Sequence, residues 1–128
     1  MTELRRIMHI EDDPDIREIT RMSLELVGGF DVIQFEGGDI ALENLPDDAP
    51  DMILLDVMMP KVNGYTVCQQ IRETSQQPHQ QPKIIMLTAK GRDAEITKGL
   101  ALGADAYITK PFSTRDLVSD VQKLLSEA

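Results

Sequence analysis

Two apolar runs constrain the fold of this chain more than any other feature of its sequence. The runs MILLDV (52–57) and KIIML (83–87) are almost continuously apolar and do not alternate with polar residues. Strands of this composition are covered on both faces, which is typical of a parallel sheet between two layers of helices. Three further runs, RIMHI (6–10), FDVIQF (30–35) and AYIT (106–109), also have strand composition. The sequence therefore predicts five strands.

Helical patterns separate these runs. Residues 15–26, 65–72 and 94–102 carry apolar side chains close to a 3.6-residue period, and Gly28-Gly29 ends the first of these helices. The last helix begins with capping-box spacing at 113–116. Strand and helix thus alternate five times, and right-handed crossovers then give a parallel sheet with helices on both faces. The predicted fold class is α/β, doubly wound.

Two segments interrupt this regular alternation. Residues 36–50 contain two glycines and two prolines, which leave room for about two helical turns. Residues 74–82 are rich in glutamine and proline and have no periodicity, which is typical of a surface loop. At 128 residues the chain has the length of one domain, and we expect residues 1–128 to form it.

Composition excludes several classes of protein. The formal charge of -9 argues against direct nucleic-acid binding, which needs clustered lysine and arginine. No apolar run approaches the roughly 20 residues of a membrane span, and the first residues do not form a secretory signal. Cys68 is the one cysteine and forms no internal disulfide. These observations favour a cytoplasmic protein.

Polar residues fall where four of the predicted strands end. Glu11 and Asp12 follow the first strand, Asp56 ends the third, Thr88 the fourth and Lys110 the fifth. In open α/β sheets, ligands bind at the carboxyl ends of the strands, near the point where the strand order reverses. We therefore expect these side chains to share one site.

The chemistry of these residue types points to a cation. Asp56 lies in an apolar run, so its carboxylate needs a lysine or a metal nearby. Three crowded carboxylates repel one another, and a hard divalent cation relieves that repulsion. Mg²⁺ fits because it prefers one or two carboxylates together with phosphate oxygens. Asp13, Pro14 and Asp15 fit a structural role better, as a helix N-cap, a first-position proline and a first-turn acid.

Two other polar residues fit structural roles. His9 lies inside the first strand and has no nucleophile or acid of the triad kind beside it, so we interpret it as a packed histidine. Cys68 lies on the third helix without an adjacent basic residue, which favours packing over reactivity.

Four blocks in this order carry a resemblance to a known family. IMHIEDDPDIRE, DMILLDVMMPKVNGY, IIMLTAKG and GLALGADAYITKPFS resemble, over the full length of the chain, the receiver domains of two-component response regulators. The single-domain chemotaxis regulator is one member. The resemblance implies a flavodoxin-like five-stranded parallel sheet of order 2-1-3-4-5.

The resemblance also implies a role for individual residues. Asp56 would accept the phosphoryl group, Thr88 and Lys110 would contact it, and Tyr107 would be the switch aromatic. The implied magnesium ligands are Glu11, Asp12, Asp56 and the backbone carbonyl of Met58. Pro111 would be a cis proline. The side chains of Met58 and Lys90 would tune the lifetime of the phosphoryl group. Mn²⁺ would substitute for Mg²⁺.

The implied function is that of a signalling switch and not an enzyme with its own substrate. A histidine kinase or histidine phosphotransfer protein would donate the phosphoryl group, and the surface of the fourth helix, fifth strand and fifth helix would pass the signal to a downstream protein. The chain would be a monomer or a weak phosphorylation-dependent dimer. Asp105-Ala106 and Asp120 depart from the pattern of receivers fused to winged-helix domains, which favours a stand-alone regulator. The amino-terminal receiver of a longer regulator is the alternative.

Two other functions fit the sequence less well. An aspartyl-phosphate hydrolase of the haloacid dehalogenase type wants a second aspartate two positions after the nucleophile, where this chain has Met58. A calcium loop over residues 11–22 would lack the central glycine and the final glutamate of an EF-hand.

Overall fold

A computed structural model of the protein describes residues 5–48, 50–57, 64–74, 82–89, 93–110 and 113–126. Five strands form one sheet in the order β2-β1-β3-β4-β5, and every neighbouring pair is parallel. The predicted fold class and strand order are confirmed. The strands are β1 (Arg6–Ile10), β2 (Asp31–Phe35), β3 (Met52–Asp56), β4 (Lys83–Ala89) and β5 (Ala106–Lys110).

A helix follows each strand. The helices are α1 (Pro14–Met22), α2 (Gly38–Asp48), α3 (Gly64–Thr74), α4 (Asp93–Ala101) and α5 (Thr114–Ser126). The predicted cap of α5 is present, since the Ser113 hydroxyl accepts from the main-chain nitrogen of Asp116 at 3.1 Å. The predicted loop at 74–82 lies mostly outside the described residues.

The structure corrects the prediction for residues 36–50. Helix α2 has 11 residues, about three turns where two were expected. A proline removes one helical hydrogen bond and crowds the carbonyl four residues before it. Pro46 lies two residues before the end of α2, so the helical hydrogen bond that it removes is one of the last in the helix, and α2 continues for only two residues beyond it.

The first helix also differs from its prediction. It ends at Met22 and continues as a π-helical turn, Ser23–Val27, in which Gly28 N–H donates to the carbonyl of Ser23, five residues back. The Ser23 hydroxyl is hydrogen-bonded to the Ile19 carbonyl at 2.8 Å and to the Thr114 hydroxyl at 2.9 Å. The turn therefore fastens the end of α1 to the start of α5. Gly29 ends the segment with φ of 72°, as the Gly-Gly pair predicted.

The sheet separates two hydrophobic cores. One core joins Met8, Ile53 and Met86 to α2 and α3, while the other joins Ile7, Leu54 and Ile85 to the π-helical turn and to α5. All five residues of β3 are buried, as the continuous apolar run predicted. Helices thus cover both faces and leave the carboxyl ends of the strands as the open edge of the sheet.

Two expectations about single residues are confirmed. Cys68 of α3 is buried in the hydrophobic core, and burial raises the pKa of its thiol. It therefore packs as a small apolar side chain. His9 is fully buried within β1. Within the described ranges, no helix combines the length and apolarity needed to cross a bilayer.

Candidate functional site

Three carboxylates meet at the carboxyl edge of the sheet. Glu11 and Asp12 follow β1, Asp56 is the last residue of β3, and one oxygen from each lies within 4.8 Å of the others. Because β1 lies between β2 and β3, the chain reverses its direction of travel across the sheet here, at the position where open α/β sheets bind ligands. The predicted convergence of these three residues is confirmed.

The next residues start helix α1, as predicted from the sequence. Asp13 is the N-cap, and its carboxylate accepts from the main-chain nitrogens of Asp15 and Ile16 at 2.9 Å and 3.4 Å. Pro14 occupies the first turn, where its missing N–H costs nothing. The acidic stretch therefore divides into a cluster that faces Asp56 and a cap that serves the helix.

Lys110 joins two of the three carboxylates. Its ammonium nitrogen lies 2.8 Å from Oε1 of Glu11 and 3.3 Å from Oδ1 of Asp56. Burial alone would lower the pKa of Lys110, but its hydrogen bond to Glu11 and the charge on Asp56 outweigh burial and raise that pKa. The lysine is therefore a fixed positive charge beside Asp56.

The crowding of three acids changes the pKa of Glu11. Burial, followed by a hydrogen bond to Asp56 and repulsion from it, raises the pKa of Glu11 to about 7 against the opposing effect of Lys110. The ordinary value of 4.5 applies in the unfolded chain. The folded protein consequently binds more protons than the unfolded chain between these two pH values. The stabilisation due to this proton is complete below pH 4.5 and is lost as the pH rises through about 7.

Glu11→Gln tests this sign in metal-free protein. The variant has no proton to lose, so we expect the wild type to lose free energy of unfolding relative to the variant between pH 4.5 and about pH 7, by up to roughly 1.4 kcal/mol per pH unit, and the difference to level off above that range. Urea unfolding with a chelator present measures the difference. Glu18→Gln, an exposed change on α1, should leave the pH profile of the wild type unaltered. Parallel profiles for Glu11→Gln and wild type would contradict the assignment.

A cavity of about 290 Å³ lies over the three carboxylates. The buried Thr88 from β4 lines it, and the Thr88 hydroxyl has no hydrogen-bond partner within the described part of the chain. Glu95 from α4 also lines the cavity and was missed in the sequence, because no strand end marks it. Of the described lining residues, five carry a carboxyl group and Lys110 is the single cation, so the cavity is short of positive charge.

A glycine, also missed, sets how closely α3 approaches the site. The main-chain nitrogen of Gly64 donates to the carbonyl of Val57 at 3.0 Å. A Cβ atom at Gly64 would lie 2.6 Å from the carbonyl oxygen of Asp56 and 2.9 Å from Cα of Val57. Any larger residue would push α3 away from the chain that leaves β3. The sequence signal is Asn63-Gly64, a turn dipeptide before a helix.

The other predicted residues lie apart from this cavity or outside the described residues. Tyr107 lies on β5 and is 47% exposed, so its ring points toward solvent in this structure. Met58, Lys90 and Pro111 lie outside the described residues. Their predicted roles remain predictions.

The donor set suits a hard divalent cation. Its ligand atoms are carboxylate oxygens, which Mg²⁺ prefers, and they lie close enough to share one ion. The raised pKa of Glu11 and the excess of carboxylates over lysine show that added positive charge would stabilise the cluster. The residues present therefore fit Mg²⁺.

Sequence comparison identifies relatives over nearly the whole chain. A family model described as the response regulator receiver domain matches residues 7–122. The transcriptional regulatory protein CpxR of Escherichia coli strain K12 is 41% identical over 122 residues, which cover 95% of this chain and 50% of CpxR. The chain thus spans about half the length of the curated relatives that it matches.

Solved structures resemble the chain in fold as well. The chemotaxis response regulator CheY4 of Vibrio cholerae superposes with a TM-score of 0.86 at 26% identity, covering 95% of this chain and 99% of CheY4. A CheY-like response regulator receiver domain protein from Methanospirillum hungatei has a TM-score of 0.85 at 28% identity, over 96% of this chain and 94% of that protein.

Proposed function

The chain belongs to the family of response regulator receiver domains, and we propose that Asp56 is the residue that accepts the phosphoryl group. The observation that carries this assignment is the position of Asp56. It is a buried carboxylate at the end of the central strand β3, 3.3 Å from Lys110, and it lines the cavity that the acidic residues share. It meets the requirements of a nucleophile that is held between a fixed cation and a metal site. Residues 1–128 would form one such receiver domain.

The proposed reaction transfers a phosphoryl group from a phosphohistidine. An oxygen of Asp56 forms a bond to phosphorus while the bond from phosphorus to the imidazole nitrogen breaks, and the electron pair leaves with the imidazole. The Asp56 carboxylate is held in place by Lys110, so the chain contributes position and charge to the transfer. The Thr88 hydroxyl has no hydrogen-bond partner within the described part of the chain and would bond to a phosphoryl oxygen.

Glu11, Asp12 and Asp56 would hold Mg²⁺, or Mn²⁺ in its place, together with the backbone carbonyl of Met58. The ion would supply positive charge to the phosphoryl oxygens. Among the described residues that line the cavity, Lys110 is the only other source of positive charge. Glu11 keeps its carboxylate buried and bonded to Lys110, while Asp12 is exposed to solvent. An ion that enters from solvent would therefore contact Asp12 first.

The proposed signal is a shift between two conformations. Thr88 would turn toward the phosphoryl group, and Tyr107, now pointing to solvent, would move inward beside it. This change would alter the surface formed by α4, β5 and α5. Met58 and Lys90 would tune the lifetime of the phosphoryl group, and Pro111 would hold a cis peptide bond after Lys110.

The proposed partners are proteins. A histidine kinase or a histidine phosphotransfer protein would donate the phosphoryl group, and a downstream protein would bind the surface of α4, β5 and α5. The charge of -9 supports neither direct nucleic-acid binding nor attachment to an anionic membrane. The chain would be a monomer or a weak phosphorylation-dependent dimer. The carboxylate of Asp105 supports this, because it accepts hydrogen bonds from Arg72 and from the main-chain nitrogen of Ile84 within the same chain.

One observation favours the alternative that the chain is the amino-terminal receiver of a longer regulator. CpxR is about twice as long as the matched region, so a receiver of this sequence also suits the amino-terminal half of a longer regulator. The phosphoryl chemistry at Asp56 would be the same in a stand-alone regulator and in the longer form. The output attached to α5 would differ.

The test of the proposed function uses a small acyl phosphate as donor. Incubation of the protein with acetyl phosphate and Mg²⁺ should add the mass of one phosphoryl group to a fraction of the chains, as measured by intact-protein mass spectrometry. The adduct should be lost in mild base, as an acyl phosphate is, while a phosphoserine would persist. Failure to acquire the adduct at any Mg²⁺ concentration would contradict the proposal.

A further inference from the structure

A polar network lies between α1 and the first two strands. His9 of β1 and Gln34 of β2 are partners in the register of the sheet. The amide nitrogen of Gln34 lies 3.0 Å from Nδ1 of His9 and 2.6 Å from the main-chain oxygen of Arg17. Because an amide nitrogen only donates, Nδ1 of His9 accepts and the histidine is neutral. The network thus fixes the main chain of Arg17 to β1 and β2.

The side chain of Arg17 reaches back to the acidic pair. Its Nη1 nitrogen donates to the main-chain oxygen of Glu11 at 2.8 Å and to that of Asp12 at 3.1 Å. The main-chain nitrogen of Arg17 donates to the oxygen of Asp13 at 3.0 Å. One residue therefore binds the main chain of three consecutive acidic residues.

These carbonyls need a donor because the chain leaves the sheet here. The main-chain nitrogen of Glu11 still donates to Phe35 across the sheet at 3.0 Å, and strand pairing ends at that point. Successive side chains of an extended strand point to opposite faces, yet the carboxylates of Glu11 and Asp12 converge on Asp56. The chain must bend at Asp12, and the direction of the two carbonyls sets that bend.

We propose that Arg17 is a positioning residue of the cation site, which holds the bend so that Glu11 and Asp12 present their carboxylates together. The proposal rests on the function proposed above, in which these two residues bind Mg²⁺. The planar guanidinium has fixed donor directions, so it constrains both carbonyls at once. Residues that orient metal ligands typically contribute about 10-fold to 100-fold to metal affinity.

The sign of the effect separates positioning from simple charge. Arg17 is a cation near the site, so removing its charge alone would strengthen the binding of another cation. Loss of the two hydrogen bonds would instead weaken binding, because the carboxylates would have to be ordered by the ion itself. The two explanations predict opposite changes in Mg²⁺ affinity.

The experiment is a calorimetric titration of Mg²⁺ into metal-free wild type, Arg17→Met and Arg17→Lys. We expect affinity to fall by about tenfold or more in Arg17→Met, and by less in Arg17→Lys, which keeps a charge and donors but not the fixed planar directions of the two N–H groups on Nη1. Urea unfolding without metal shows that each variant is folded at the temperature of the titration.

Arg72→Met is the matched control. Arg72 also donates to two main-chain oxygens, of Gly103 at 2.9 Å and of Pro82 at 2.8 Å. Pro82 precedes β4, so this contact is at the opposite edge of the sheet from the cation site. We expect Arg72→Met to lose stability and to keep the Mg²⁺ affinity of the wild type.

The outcomes separate the inference from the proposed function. Equal or tighter Mg²⁺ binding by Arg17→Met, or an equal loss in Arg72→Met, would overturn the positioning role while the wild type still bound the ion. A wild type that binds no Mg²⁺ would overturn the cation site and the role of Arg17 with it. If Arg17→Met does not fold, Gln34→Ala releases the main chain of Arg17 and should weaken Mg²⁺ binding severalfold; unchanged affinity in that variant would overturn the role.

Discussion

Asp56→Asn is expected to abolish phosphoryl transfer from acetyl phosphate. Asparagine is almost the same size as aspartate, so the packing at the end of β3 is preserved, but its amide has no anionic oxygen to attack phosphorus. It also removes the negative charge that Lys110 contacts at 3.3 Å. We expect labelling to fall by at least about a thousandfold, to the background of the assay, since the loss of a nucleophile removes the reaction path itself. Intact-protein mass spectrometry measures the loss.

The control for this variant is Asp13→Asn. Asp13 lines the same cavity, but its carboxylate caps α1, and asparagine is an equally good N-cap. Labelling should therefore continue in Asp13→Asn at a rate close to that of the wild type. An adduct of the same size that persists in Asp56→Asn would assign the phosphoryl group to another residue.

Asp12→Ala is expected to remove the dependence on Mg²⁺ together with most of the labelling. Asp12 is exposed, so the substitution removes a carboxylate without opening a cavity in the core. Metal charge stabilisation of a transferring phosphoryl group amounts to several kcal/mol, and we expect labelling to slow by roughly a hundredfold. Addition of a chelator to the wild type should produce the same slow rate. The rate is followed by mass spectrometry at increasing Mg²⁺ concentration.

Asp15→Ala is the matched control for Asp12→Ala. Asp15 is also exposed and acidic and lies three residues away, but it belongs to the first turn of α1. Its loss should cost a few tenths of a kcal/mol of helix stability and leave the Mg²⁺ dependence intact. Labelling that survives both chelation and Asp12→Ala would rule out the metal site.

The strands were predictable from the sequence because their signal is local. An almost continuous apolar run such as that of β3 has few alternatives to burial on both faces. The length of α2 and the π-helical turn after α1 were not predictable, because both depend on tertiary contacts. The turn is tied to α5 by the hydrogen bond between Ser23 and Thr114, which are 91 positions apart.

The site was predictable only in part, for a related reason. Glu11, Asp12, Asp56, Thr88 and Lys110 lie at strand ends, and the rule for ligands in open α/β sheets brings strand ends together. Glu95 and Gly64 reach the site from helices, whose lateral placement the sequence does not state. Gln34 connects His9 to Arg17 through hydrogen bonds. This connection could not be predicted without knowing that His9 and Gln34 are partners in the register of β1 and β2.

The π-helical turn has a consequence for how sequences of this family are aligned. Its hydrogen bond spans five residues where an α-helix spans four, so the segment Ser23–Val27 holds one residue more than an α-helical segment of the same kind. Leu24 is nevertheless fully buried, and the strand that follows keeps its register with β1. In a relative whose first helix is α-helical throughout, the same path would need one residue fewer. An alignment gap of one residue between α1 and β2 would then mark a change of helix type and no change in the position of the sheet.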